Sequence, residues 1–141
     1  MIINVELDLS GIQQKLAQME RDLPRQLDRA LLQTAVKGVG IIKKRTNAGR
    51  GINKYFKRYT PKYAAFRRKK GRQVSPVNLQ FTGRMLGAMQ AFGHSGYAEI
   101  SFTRAEEAKK AYFNNQKRPF FGFNKTEKRQ LLEFMKKRLF R

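Results

Sequence analysis

With 141 residues, 40% of them hydrophobic, and no cysteine, this chain is long enough to bury one modest core and must do so without disulfides or a thiolate metal site. Its 31 Lys and Arg against 10 Asp and Glu give a net charge of +21, a field that repels copies of itself at low salt and attracts polyanions or acidic protein surfaces. No stretch approaches the roughly 18 apolar residues of a membrane span, and Met1 to Glu6 lacks a basic region before an apolar run, so no membrane partner is expected and the protein is expected to be made in a cytoplasm.

Ile2 to Leu7 alternates apolar and polar side chains and predicts a short first strand, ended by Asp8 to Ser10. Ser10 is placed to cap a helix over Gly11 to Asp22, where Ile12, Leu16, Met19 and then Leu23 recur at helical spacing. Pro24 suits the first turn of a second helix, or a kink between the two, because its missing N–H is not needed there. From Arg25 to Lys44 the apolar set Leu27, Leu31, Ala35, Val39 and Ile42, joined by Leu32, Val36 and Ile41, forms a broad stripe and is the strongest helical signal of the chain. Gly38 and Gly40 fall inside it and are expected to let that helix approach a neighbour closely.

Residues 45–74 change character. Gly49, Gly51, Pro61 and Gly71 interrupt any periodicity, 13 basic residues fall between Lys43 and Arg72, and Tyr55, Phe56, Tyr59, Tyr63 and Phe66 are threaded among them. This composition predicts an extended basic arm or loop, with a short helix around Pro61 to Lys70, that orders on a partner. Between Asp28 and Glu99 the chain carries 16 basic residues and no acidic one.

Val77 to Phe81 reads as a strand, and Met85 to Phe92 as a strand or a helical turn leading into one. Gly93 to Gly96 is a turn by composition, and Tyr97 to Phe102 alternates so that Ala98, Ile100 and Phe102 share a face, which predicts a hairpin. Thr103 to Asn114 is expected to be a helix capped by Thr103, with Ala105, Ala108, Ala111 and Tyr112 inward. Arg118-Pro119-Phe120-Phe121-Gly122-Phe123 then sets three phenylalanines in one turn, too much apolar area to leave in water. Asn124 and Glu127 have the spacing of a capping box, opening a last helix to about Leu139 that buries Leu131, Leu132, Met135 and Leu139.

The inventory for catalysis is nearly empty. His94 is the only histidine and sits in a turn beside Ser95, where adjacent side chains rarely face each other as a nucleophile and base must. Glu106 and Glu107 point apart on a helix and make no carboxylate dyad. One histidine and no cysteine do not make a metal site, and Gly83-Arg84-Met85-Leu86-Gly87 lacks the Lys-Ser/Thr pair of a phosphate loop. No enzyme, cofactor or metal is expected.

The basic arm supports two readings. Lys54, Tyr55, Lys57, Arg58, Tyr59 and Lys62 in its first half, and Tyr63, Arg67, Arg68, Lys69, Lys70 and Arg72 in its second, mix cations with aromatic rings in the manner of proteins that stack bases and neutralise phosphates. The same residues suit an interface against an acidic neighbour, with Arg and aromatic side chains at its energetic centre.

Tyr59-Thr60-Pro61-Lys62-Tyr63-Ala64, the basic run Lys69 to Arg72, Val77-Asn78-Leu79-Gln80-Phe81-Thr82-Gly83-Arg84-Met85-Leu86 and the Arg118 to Gly122 phrase, in that order, resemble the virion-morphogenesis, or tail-completion, family of tailed bacteriophages. The matching positions run from about Tyr59 to Leu139, and the segment before Tyr59 departs from the family in length and charge. The resemblance implies a structural protein of the neck where head meets tail, located in the virion and assembled as a homo-oligomeric ring, a hexamer or dodecamer, with other neck and tail proteins as partners. Basic residues facing the lumen would also meet the DNA passing through. It further implies architectural roles for Thr82, Gly83, Met85 and Leu86 in a turn, and for Arg118, Pro119, Phe120, Phe121 and Gly122 in an aromatic loop whose phenylalanines join the core or a neighbouring subunit. The alternative function is a small basic nucleic-acid-binding protein.

Together these elements predict a single α+β domain over residues 1–141: a long N-terminal helix or helix pair on a small, mainly antiparallel sheet, an extended basic arm, and a C-terminal helix.

Overall fold

The computed structural model describes residues 2–4, 23–80 and 82–140. The helix expected over Gly11 to Asp22, its Ser10 cap, the end of the first strand and Phe81 lie outside the described residues. The protein is an α+β fold: a long helix and a C-terminal helix against a three-stranded antiparallel sheet. In chain order it comprises β1 (Ile2–Asn4), α1 (Leu23–Asn47), α2 (Pro61–Lys69), α3 (Arg84–Gly87), β2 (Met89–His94), β3 (Tyr97–Phe102), α4 (Ala105–Lys117) and α5 (Lys125–Leu139).

The strand order is β1-β3-β2, so the alternating segment Tyr97 to Phe102 is the central strand, with Ile100 opposite Ile3 on one side and Ala91 on the other. Gly93 and His94, expected in the turn, are the last pairs of the hairpin, facing Ala98 and Tyr97. The turn itself is two residues, Ser95 and Gly96, and Gly96 has the left-handed φ of +81° that tight hairpins demand. Its N–H donates to Asp28 Oδ1 at 2.8 Å, tying the hairpin tip to the start of α1.

One face of the sheet is covered by α1, which also meets α5. The stripe read from the sequence is the buried one: Leu31, Ala35, Val39 and Ile42 are core, whereas Leu32 and Val36 at its margins stay exposed. Thr34 is fully buried among them because its hydroxyl donates to the Ala30 carbonyl one turn back, at 2.7 Å. Close approach is real at Gly38, where a Cβ would stand 2.7 Å from Phe123 Cζ and 3.3 Å from Ile100 Cδ1. Among the described residues Gly40 has nothing within 4 Å of such an atom, so the expectation of close packing is not met there.

The Phe-rich phrase joins the molecule's own core, with Phe120 and Phe121 buried and Phe123 packed at its edge. Phe121 lies against Phe102 of β3 with ring centroids 5.1 Å apart. Asn115, near the end of α4, accepts both the Phe120 and Phe121 N–H groups at 3.0 Å and so turns the chain. Asn124 and Glu127 close the expected capping box, each side chain bonding the other's N–H at 2.8 and 3.0 Å.

Three expectations are corrected. Val77 to Gln80 is not a strand: Val77 and Leu79 are buried from an irregular segment, and Leu79 has φ +59°, which no extended ladder accommodates. Helix α4 starts at Ala105 behind Arg104 with no side-chain cap, and its inward residues are Ala111 and Glu107, while Ala105 and Tyr112 face out. The arm starts later than residue 45, because Arg45, Thr46 and Asn47 complete α1; the short helix expected around Pro61 to Lys70 is there, as α2.

Candidate functional site

The most cationic part of the chain folds onto the body and builds one wall of a cleft. Thr60 caps α2, its hydroxyl accepting the Tyr63 N–H at 3.3 Å, and Pro61 occupies the first turn where its missing N–H costs nothing. The tight first turn brings Tyr59 edge-on to Tyr63, centroids 5.1 Å apart, and Tyr63 stacks on Phe66. Arg67, one turn further, points inward: it is 1% exposed and donates to the carbonyls of Gln73 and Gln80, both at 2.7 Å. Its guanidinium also lies over the Tyr59 ring at 4.7 Å.

Arg118, the first residue of the Phe-rich phrase, reaches the same ring from a distant part of the sequence. Its guanidinium carbon is 5.0 Å from the Tyr59 centroid, and it donates to the carbonyls of Lys57 and Arg58 at 2.7 and 3.0 Å. Burial pushes the Tyr59 phenol above the usual tyrosine range, against the opposing pull of the two guanidinium groups. Ile52 N–H donates to the Pro119 carbonyl at 3.0 Å, and Asn124 Nδ2 donates to the Ile52 carbonyl at 2.9 Å, so the first half of the arm is tethered as well.

Helix α4 supplies the facing wall. Lys110, Phe113 and Lys117 line the cleft from this side and Lys57, Arg58 and Tyr63 from the other, around a space of ≈ 930 Å³. Met85, Leu79 and Glu107 also line it. Glu107 is 2% exposed; Oε1 takes the Lys110 ammonium at 3.1 Å, and Oε2 is buried with no hydrogen-bond partner. A buried carboxylate oxygen left unpaired is costly, and such atoms mark places where a partner donor is missing.

Of the residues singled out in the arm, Lys57, Arg58, Tyr59 and Tyr63 meet at this cleft. Lys54, Tyr55, Lys62, Arg68, Lys69, Lys70 and Arg72 are exposed elsewhere on the surface. Arg67 is the correction: it lines the cleft but is spent on backbone carbonyls, so it serves the fold. In the family-like turn, Gly83 has φ +80° immediately before α3, Met85 and Leu86 are buried, and Thr82 Oγ1 accepts the Arg84 N–H at 3.4 Å.

Sequence reasoning missed Glu107, Lys110, Phe113 and Lys117. One signal was available: Tyr112 and Phe113 are adjacent on a helix, so a single buried face cannot take both. Both prove exposed, at 49% and 54%.

It also missed Arg45, the buried hub joining α1 to the Phe-rich loop and α5. Arg45 Nη1 donates to both Glu127 oxygens at 2.9 and 3.0 Å, and Nη2 to the carbonyls of Phe120 and Gly122 at 2.6 and 2.7 Å. His94 contacts Glu99 at 2.5 Å and stacks on Tyr97. Among the described residues no three His, Cys, Asp or Glu side chains cluster as a metal ion would need, and no helix is long and apolar enough to cross a membrane. No family model, curated protein or solved structure matches this chain.

Proposed function

We propose that this chain is a structural protein of the head-tail connection of a tailed-phage particle, one subunit of a ring of six or twelve copies, with no chemistry of its own. The reading rests on the resemblance of residues from about Tyr59 to Leu139 to tail-completion proteins. The observation that carries it is the kind of work those residues do. Gly83, Met85, Leu86, Phe120 and Phe121 are backbone turns and buried apolar fasteners, and Arg118 binds backbone carbonyls, which supports the architectural roles the resemblance implies for them. The body they fasten leaves a cationic face with exposed rings at Tyr63, Phe66 and Phe113, a surface chemistry suited to assembly against unlike neighbours.

Counting copies tests the reading. Quantitative mass spectrometry of nuclease-treated, purified particles is expected to find on the order of six to twelve copies of this chain per particle, the stoichiometry of one closed ring. Its absence from particles, with the chain recovered among intracellular nucleic acid, overturns the structural assignment.

A further inference from the structure

The α2–α4 cleft carries a more specific conclusion, which rests on the neck reading for the identity of the partner. Its rim is cationic, with Lys57, Arg58, Lys110 and Lys117 exposed around it, and its walls are apolar where Tyr63, Phe113 and Met85 line it. Glu107 also lines it, but its unpaired Oε2 is closed to solvent and belongs to the wall of the cleft, not to its open space. A ligand matching both features brings carboxylates for the rim and apolar side chains for the walls. We propose that the cleft receives an acidic peptide segment of a neighbouring neck or tail protein, whose carboxylates meet the lysine and arginine rim and whose apolar side chains lie against Tyr63, Phe113 and Met85.

Two other occupants fit less well. A second copy of this chain carries the same charge of +21, which opposes its seating on a basic rim. Single-strand binders stack successive bases on several open rings, but the Tyr59 ring already has the guanidinium groups of Arg67 and Arg118 over it at 4.7 and 5.0 Å and Tyr63 is stacked on Phe66, which leaves Phe113 as the open ring among the three that line the cleft.

The test uses the full chain and three defined probes: a glutamate-rich Glu/Tyr copolymer, polyglutamate and oligo-dT, with affinities read by fluorescence anisotropy at fixed salt. The reversal pair Lys57→Glu with Lys117→Glu is expected to weaken copolymer binding by about tenfold or more, while Lys128→Glu with Arg129→Glu, which removes the same charge from the exposed face of α5, changes it by less than about twofold. Phe113→Ala, at an exposed position that the fold does not need, is expected to cost the copolymer about tenfold and leave polyglutamate within about twofold. Equal weakening by the two reversal pairs would mean a diffuse field and no site. Tighter binding of oligo-dT that Phe113→Ala also weakens would make the cleft a base-stacking site; either result overturns the proposal. Loss of cleft binding in a protein still counted in particles would sink the cleft alone, whereas specific copolymer binding by a protein absent from particles would support the peptide site and remove the neck.

Discussion

Arg45 shows how much one side chain can be asked to hold. A buried guanidinium is tolerable only when its charge and most of its N–H groups are met together, and here Nη1 and Nη2 make four contacts to Glu127 and to the carbonyls of Phe120 and Gly122, while Nε is buried without a partner among the described residues. Burial lowers the affinity of Arg45 for its proton, and the Glu127 carboxylate opposes that shift, so the ion pair is what keeps the charge acceptable inside. Replacing it by Met would leave the 9%-exposed Glu127 and two carbonyls without their donor, and Arg45→Met is therefore expected to cost about 3–5 kcal/mol in urea unfolding at neutral pH. Adding Glu127→Gln to that variant removes the stranded charge while keeping an acceptor for the Asn124 N–H. The double variant is expected to lose clearly less than the sum of the two single losses. Strict additivity would mean that the two groups do not depend on each other.

At the scale of elements, helix α1 provides its own control. Gly38 and Gly40 lie on the same helix, both cost helix propensity, and only Gly38 faces the sheet closely. Gly38→Ala would drive a methyl to 2.7 Å from the Phe123 ring, and it is expected to destabilise by about 1–3 kcal/mol because overpacking outweighs the gain in propensity. Gly40→Ala meets nothing within 4 Å among the described residues and is expected to stabilise by about 0.5–1 kcal/mol. Thermal melting of the two variants reads the signs, and shifts in the same direction would remove the packing argument. Elements whose side chains repeat with a period were legible in the sequence: α1 by its stripe, the β2–β3 hairpin by alternation, and α5 by Asn124 and Glu127. Segments held by long-range polar contacts were not. Val77 and Leu79 alternate like a strand, yet their neighbour Gln80 gives its carbonyl to Arg67 and no ladder forms. The arm's glycines and charges looked like a loop awaiting a partner, because nothing near Tyr59 announces that Arg118 will lie over its ring. Half of the cleft was invisible for the same reason, since Glu107, Lys110 and Phe113 are brought to the arm only by folding.

For the whole molecule, the charge of +21 sets the terms of association. Copies brought together, as the proposed ring requires, would stand with their cations close, and the cost falls as salt shortens the screening length from about 30 Å at 0.01 M to about 10 Å at 0.1 M and about 3 Å at 1 M. The apolar surface at Leu32, Val36, Phe113 and Phe140 offers attraction that salt does not screen. Self-association of the isolated chain is therefore expected to strengthen as salt rises, with sedimentation velocity moving from a monomer boundary near 0.01 M toward larger species near 1 M. Binding to phosphate has the opposite dependence, because each released counterion makes the complex weaker in more salt. An acidic protein neighbour combines the two: it cancels the repulsion between copies and adds attractions of its own, so a ring built on such a neighbour should form at low salt where the free chain does not. If the isolated chain associates best at low salt and dissociates as salt is added, attractive charge contacts between its own copies hold it together, and the net charge is not the barrier to assembly argued above.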